Sequence, residues 1–88
     1  MTYFVYGITD CPACLRACAA LMEADLEYVF VETDFAKSYR AQLKKQHRRS
    51  TFPIIIRRSQ DPATAETLII GGFEELQDHL ERHNLNVT

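Results

Sequence analysis

The chain has 88 residues, of which 47% are hydrophobic and 25% are charged, and its formal net charge is −2. This length supports one domain, residues 1–88, with a single modest core, and the composition is typical of a soluble globular protein. The negative net charge disfavours a general nucleic-acid binder, and no apolar stretch approaches the roughly 20 residues of a membrane span.

The cysteine count and the N-terminus bear on the compartment. Three cysteines cannot all pair within one chain, which disfavours a secreted, disulfide-stapled protein. No basic segment followed by an apolar core opens the chain, so we expect no signal peptide. The expected setting is the reducing cytoplasm.

The predicted elements alternate between strands and helices. In chain order they are a strand over Tyr3 to Tyr6, a helix over Pro12 to Ala24, a strand over Tyr28 to Glu32, a helix over Ala36 to His47, a strand over Pro53 to Arg58, a turn over Gln60 to Thr64, a strand over Thr67 to Ile70 and a helix over Phe73 to His83. Aromatic and β-branched runs indicate the strands, while Ala-, Leu- and Met-rich or strongly charged segments indicate the helices.

Helical spacing predicts which side chains of each helix face the core. The expected inward residues are Leu15, Cys18, Ala19 and Met22 in the first helix and Phe73, Leu76 and Leu80 in the last. In the second helix, Tyr39 and Leu43 are expected to form an i, i+4 apolar pair. The histidines of the last helix, His79 and His83, are expected at the surface.

The order βαβαββα predicts an α/β fold with a small four-stranded mixed sheet flanked by helices. Such a sheet places Asp10 and Cys11 at the carboxyl end of the first strand, where open α/β sheets bind ligands. Cys11 also opens a helix, where unpaired N–H groups and the helix dipole favour a thiolate. Cys14 lies about one turn further on, close enough to attack a mixed disulfide on Cys11.

Other interpretations of the cysteines are weaker. A structural disulfide between Cys11 and Cys14 would close a very short loop and stabilise little. A zinc site needs about four ligands, and no second Cys-x-x-Cys or paired histidine motif is present, so we expect no metal. A dithiol that follows a strand and opens a helix favours redox exchange instead. Cys18 is predicted to be a small buried hydrophobe, with a secondary redox role as its alternative.

Three motifs then carry a family resemblance. They are Cys11-Pro12-Ala13-Cys14, Thr51-Phe52-Pro53 before an Ile-rich strand, and Gly71-Gly72-Phe73-Glu74-Glu75 opening the last helix. Together, in this order and spacing, they resemble a dithiol glutaredoxin over nearly the whole chain. The resemblance implies a thioredoxin fold with a cis Pro53 facing the dithiol. It also implies reduction of protein disulfides and glutathione mixed disulfides, with glutathione as co-substrate and no permanently bound cofactor.

The resemblance also assigns roles to residues. Cys11 would be the nucleophile and Cys14 the resolving cysteine. The implied glutathione contacts are Thr51 and Phe52 beside Pro53 for the cysteinyl part, Gly72, Phe73 and Glu74 for the γ-glutamyl end, and Arg40 for the glycyl carboxylate. The implied partners are glutathione and disulfide-containing or glutathionylated proteins, and we expect a monomer.

Two departures from the family pattern keep an alternative open. Ile8 stands where the family commonly has lysine, and Ala13 replaces an aromatic residue between the cysteines. Without that lysine, and with Asp10 adjacent, Cys11 should be less acidic than in relatives. The alternative is a thioredoxin-like electron donor to a dedicated enzyme such as ribonucleotide reductase, with little use of glutathione. A third possibility is a binding module, either an iron–sulfur carrier or a partner-docking domain with inert cysteines, and the presence of Cys14 disfavours the iron–sulfur carrier.

The basic segment from Lys44 to Arg49 is predicted to be a solvated helix end. Its alternative is the steering of anionic glutathione or an acidic partner.

Overall fold

The computed structural model describes residues 1–59, 63 and 66–83. Its elements are β1 (Thr2–Gly7), α1 (Pro12–Glu23), β2 (Tyr28–Glu32), α2 (Lys37–His47), β3 (Ile54–Arg58), β4 (Thr67–Gly71) and α3 (Phe73–Arg82). The predicted order is confirmed, and every predicted strand or helix boundary lies within one residue of the observed one. Apart from Ala63, the predicted turn over Gln60 to Thr64 lies outside the described residues. Within the described part of the chain, no helix combines the length and apolar character needed to cross a membrane.

The strands form a four-stranded mixed sheet in the order β2-β1-β3-β4. β1 runs parallel to β2 and antiparallel to β3, and β3 forms an antiparallel hairpin with β4. The register pairs Tyr6 of β1 with Ile54 of β3, so the end of β1 lies beside the start of β3. The loop that follows β1 and the loop that precedes β3 therefore meet at one edge of the sheet.

The core lies between the sheet and helices α1 and α3. Its buried side chains are Tyr3, Val5, Ala17, Leu21, Ala24, Ile55, Leu76 and Leu80. Because successive strand residues point to opposite faces, Ile54 and Ile56 point away from Ile55, toward the face that α2 covers with Leu43. β3 is thus buried on both faces, as its run of isoleucines predicts.

The inward face of α1 differs from the predicted one. Cys14, Ala17 and Leu21 are fully buried, whereas Leu15 and Met22 are 61% and 63% exposed. The prediction was therefore wrong for Leu15 and Met22. Apart from Leu21, the buried residues of this face have small side chains, so the larger apolar residues Leu15 and Met22 do not mark it.

His79 of α3 is also placed differently from the prediction. It is only 9% exposed, and its Nε2 lies 3.0 Å from the hydroxyl oxygen of Tyr3. Burial lowers the pKa of His79, and the nearby charges of His83, Arg57 and Arg82 lower it further. Tyr3 supplies the polar partner that makes a buried, neutral histidine acceptable at this position.

Candidate active site

The two cysteines of the Cys-x-x-Cys motif occupy the start of α1. Cys11 is the extended N-cap residue, Pro12 begins the helix, and the Cys11 sulfur accepts a hydrogen bond from the Cys14 N–H at 3.2 Å. The two cysteines are joined as a disulfide, with their Cα atoms 5.2 Å apart. Cys14 is fully buried and Cys11 is partly exposed. Of the two cysteines, Cys11 is therefore the one that can react with a substrate. Its thiolate can attack a substrate disulfide, and its sulfur can be attacked by a substrate thiolate when it is part of a disulfide.

Gly7, the last residue of β1, makes room for the buried sulfur. A Cβ atom on Gly7 would lie 2.6 Å from the Cys14 Sγ and 3.0 Å from Cε1 of Phe30. Any side chain at position 7 would thus displace the dithiol or the ring beside it. Sequence reasoning missed this role, although a glycine ending a buried strand just before a Cys-x-x-Cys motif is a usable signal.

The loop before β3 faces the dithiol. The Phe52–Pro53 peptide bond is cis, as the resemblance implied, and Pro53 is buried. The Cys11 sulfur lies 4.0 Å from the carbonyl oxygen of Phe52. Lys44 of α2 holds its ammonium 5.3 Å from the centre of the Phe52 ring, within the range of a cation–π contact. The accessible sulfur is therefore bordered by the backbone of this loop.

A groove of about 300 Å³ runs from this loop to the start of α3. Its lining residues are Ala13, Arg16, Arg49, Thr51, Phe52, Pro53, Gly72, Phe73, Glu74 and Glu75. The fold thus brings together all the predicted glutathione-contact residues except Arg40. Those roles in glutathione binding remain predictions.

Arg40 does not line this groove. It lies on α2 near Asp34, whose pKa is lowered chiefly by the hydrogen bond from the Thr9 side chain and further by the charge of Arg40. Its assigned contact with the glycyl carboxylate remains a prediction.

Two arginines of the groove were not assigned to it by sequence reasoning, although Arg49 belongs to the basic segment whose alternative role is the steering of anionic glutathione. Arg49 ends the basic segment from Lys44, two residues before Thr51, and this proximity to a site motif is the signal that could have found it. Arg16 carries no comparable signal, since it is one exposed arginine among the residues of α1.

An ion pair connects the two sides of the groove. Arg49 Nη2 donates to Oε1 of Glu75 at 2.7 Å, and the same oxygen accepts the Gly72 N–H at 2.8 Å. The hydrogen bond from Gly72, followed by the side-chain bond and charge of Arg49, lowers the pKa of Glu75. Glu75 is therefore an anchored carboxylate, whereas Glu74 beside it is exposed.

The arrangement suits thiol–disulfide exchange. Among the described residues, no group of three or more His, Cys, Asp or Glu side chains is placed to hold a metal ion. Cys18 is a free, partly buried cysteine, and burial raises the pKa of its thiol, which leaves it a poorer nucleophile. A Cys-x-x-Cys redox motif at the start of a helix, beside a cis-proline loop, defines a redox site on a thioredoxin fold.

Comparison with known proteins places the chain within one family. The family model described as glutaredoxin matches residues 2–60. The chain therefore belongs to the glutaredoxin family, and the resemblance recognised from its motifs is confirmed. The comparison with curated protein sequences found no match.

Solved structures show the same fold. A glutaredoxin from Brucella melitensis is 26% identical, with a TM-score of 0.71 over 94% of this chain and 80% of that one. A buckwheat glutaredoxin in complex with glutathione is 19% identical, with a TM-score of 0.72 over 94% of this chain and 71% of that one. The glutaredoxin-like NrdH-redoxin from Escherichia coli, described as having a thioredoxin-like activity profile, is 18% identical, with a TM-score of 0.66 over 93% of each chain. The predicted thioredoxin fold is confirmed.

Proposed function

We propose that this glutaredoxin-family protein is a cytoplasmic, glutathione-dependent thiol–disulfide oxidoreductase. Its substrates would be protein disulfides and mixed disulfides of glutathione with proteins. The observation that carries the proposal is the groove beside Cys11, which joins the cis-proline loop to the start of α3. A groove with backbone donors, the cation Arg16 and the exposed carboxylate Glu74 offers partners for a zwitterionic peptide.

The reaction uses the two cysteines in sequence. With a protein disulfide, the Cys11 thiolate attacks one sulfur, and the other leaves as a thiolate that takes a proton from water. The Cys14 thiolate then attacks Cys11, which releases the second substrate thiol and leaves the Cys11–Cys14 disulfide. Two glutathione molecules reduce this disulfide and leave as glutathione disulfide.

A mixed disulfide needs only one of the cysteines. Cys11 attacks the glutathionyl sulfur and releases the protein thiol, and a second glutathione attacks the resulting mixed disulfide on Cys11. Glutathione disulfide is the product, and the Cys11 thiolate is restored.

Glutathione would lie along the groove. The backbone of Thr51 and Phe52 would pair with its cysteinyl part, as an extended peptide adds to an exposed strand-like segment. The start of α3, at Gly72 and Phe73, would hold the γ-glutamyl carboxylate, because helix N-termini bind anions. Glu74 would accept from the ammonium group, and Arg40 would bind the glycyl carboxylate.

A second candidate is a thioredoxin-like electron donor to one enzyme, such as ribonucleotide reductase, that makes little use of glutathione. The loop between Gly7 and Cys11 favours it, because this loop carries Ile8 and the exposed Asp10 but no cation. The loop therefore supplies no positive charge to the thiolate or to an anionic tripeptide.

The deciding experiment compares electron sources and substrates. Reduction of a glutathione mixed disulfide by glutathione should be rapid, whereas a thioredoxin reductase should support little turnover. The opposite pattern would favour the dedicated electron donor.

Arg40→Ala and Glu74→Ala test how glutathione is held. Each should slow glutathione-dependent turnover, because it removes about 1.5–3 kcal/mol of binding free energy, the usual contribution of a charge-assisted hydrogen bond. Neither should slow the reaction of Cys11 with a small neutral disulfide. Pro53→Ala should slow both, because it reshapes the backbone beside the dithiol. Equal losses on both substrates for Arg40→Ala or Glu74→Ala would assign these residues to the fold.

A further inference from the structure

The groove is lined by as many positively charged as negatively charged side chains. Its described lining carries two cations, Arg16 and Arg49, and two carboxylates, Glu74 and Glu75. A glutathionyl group brings two carboxylates and one ammonium, so it is a net anion near neutral pH. A groove that keeps two uncompensated carboxylates at the start of α3 would repel this group.

The chain turns sharply at the end of α2, immediately before Arg49, and this turn places Arg49 in the groove. Arg48 ends α2 in the left-handed conformation, with φ of 53°, and the Arg49 N–H donates to the carbonyl of Lys44 at 2.9 Å. The guanidinium then lies against the backbone of α3, because a Cβ on Gly72 would be 2.9 Å from Arg49 Nη2. Arg49 is thus held between the end of one helix and the start of another.

Glu75 is the partner of Arg49 at this junction. Its Oε1 accepts from both Arg49 and the Gly72 N–H, so a single oxygen satisfies two donors. The next N–H groups, those of Phe73 and Glu74, lie in the first turn of α3, where backbone donors have no partner within the helix. These donors can serve a substrate carboxylate only if the charge on Glu75 is compensated.

We propose that Arg49 is a positioning residue for the glutathionyl substrate, acting by neutralising Glu75 and holding it on the Gly72 N–H. The inference rests on the proposed use of glutathione and deepens it, because it names the residue that makes the start of α3 receptive to a carboxylate. The effect of Arg49 is on recognition of charge and not on the chemistry at Cys11.

The experiment uses two chromogenic disulfides that release the same product. One joins glutathione to 2-thiopyridine, and the other joins neutral 2-mercaptoethanol to 2-thiopyridine. In each case the Cys11 thiolate forms a disulfide with the aliphatic sulfur, and the thiopyridone that leaves is followed by absorbance. Single-turnover rate constants are measured for the reduced protein and for Arg49→Gln, Arg49→Lys, Glu75→Gln and the double variant Arg49→Gln/Glu75→Gln.

Arg49→Gln should react about three- to tenfold more slowly with the glutathionyl disulfide and at an unchanged rate with the neutral one. Arg49→Lys should recover part of the loss, since it restores charge without the planar fork. Glu75→Gln should not slow the glutathionyl reaction, because the glutamine oxygen still accepts from Gly72. The double variant should recover to the rate of Glu75→Gln, because no carboxylate is left at position 75 to neutralise.

Arg82→Gln is the matched control. Arg82 forms a similar ion pair with Asp78 on α3, and both side chains are more exposed than those of the Arg49 pair. Arg82→Gln removes the same charge from the protein as Arg49→Gln does. Because Arg82 does not line the groove, this variant should leave both rate constants unchanged. A loss equal to that of Arg49→Gln would show that net charge alone is responsible and would overturn the proposal.

The remaining outcomes separate the two proposals. A double variant as slow as Arg49→Gln would show that Arg49 contacts the substrate directly, which overturns the positioning role. If Arg49→Gln slowed the reactions with both disulfides equally, Arg49 would be a structural residue and the positioning role would be overturned. Unchanged rates in every variant, with a clear wild-type preference for the glutathionyl disulfide, would overturn this inference alone. A wild type without that preference would overturn the proposed function as well.

Discussion

Gly7→Ala is expected to destabilise the oxidised protein through one identifiable contact. The new methyl group would lie 2.6 Å from the Cys14 sulfur, about 1 Å inside the ordinary separation of 3.5–4 Å between such atoms. Overpacking of this kind costs about 1–3 kcal/mol, and the lower flexibility of alanine in the unfolded chain offsets about 0.4–1 kcal/mol. The two ranges leave a net loss in the free energy of unfolding of up to about 2.6 kcal/mol, and we expect a value near the middle of that range, about 1–2 kcal/mol.

Urea unfolding of the oxidised protein measures this loss, and thermal unfolding should show a melting temperature lower by about 4–15 °C. The matched background is Cys14→Ala, which removes the sulfur and should relieve much of the cost of Gly7→Ala. Relief should be incomplete, because Cε1 of Phe30 would remain 3.0 Å from the new methyl group. The same destabilisation in both backgrounds would refute the assignment to the sulfur, and no destabilisation at all would show that the end of β1 shifts freely.

Three further predictions concern the dithiol and the buried histidine. Cys11→Ser should abolish all exchange, while Cys14→Ser should keep glutathione-dependent deglutathionylation and lose reduction of protein disulfides; equal loss of deglutathionylation would contradict the assigned roles. Ile8→Lys should lower the apparent pKa of Cys11 in a thiolate absorbance titration and lower the KM for a glutathionylated substrate by up to about fivefold; an unchanged titration would show that residue 8 points away from the site. The pKa of His79 is lowered in the folded state, so between pH about 6.5 and that lower pKa the unfolded chain binds a proton that the folded protein does not. The free energy of unfolding should therefore decrease as the pH falls through this range. In urea unfolding across this range, His79→Gln should show a shallower pH dependence than the wild type, and an identical slope would exclude His79 as its source.

Much of the fold was predictable because its signals are local. The isoleucine run Ile54 to Ile56 indicates a strand buried on both faces, and β3 is central in the sheet. The position of Cys11 between a strand and a helix depends only on neighbouring residues, and the structure places it at the N-cap of α1. The order of the elements then brings the loop with Pro53 to the same edge of the sheet.

The orientation of α1 could not be predicted in the same way. Apolar residues lie on more than one side of this helix. Two sets of helically spaced positions, offset by one residue, could therefore have faced the core. The sheet decides between them, because the side chain of Cys14 packs closely against Gly7 of β1. Leu15 and Met22 are left exposed as a consequence.

The sequence by itself therefore determined the order of strands and helices, the place of the dithiol and the family. These depend on periodicity, on turn residues and on motifs within a few positions of one another. Only the tertiary structure decided that His79 is buried against Tyr3, 76 residues away, and that Glu75 is paired with Arg49 across 26 residues. Such pairs form when packing brings separate elements together, since desolvation makes a polar group seek whichever partner the fold places beside it.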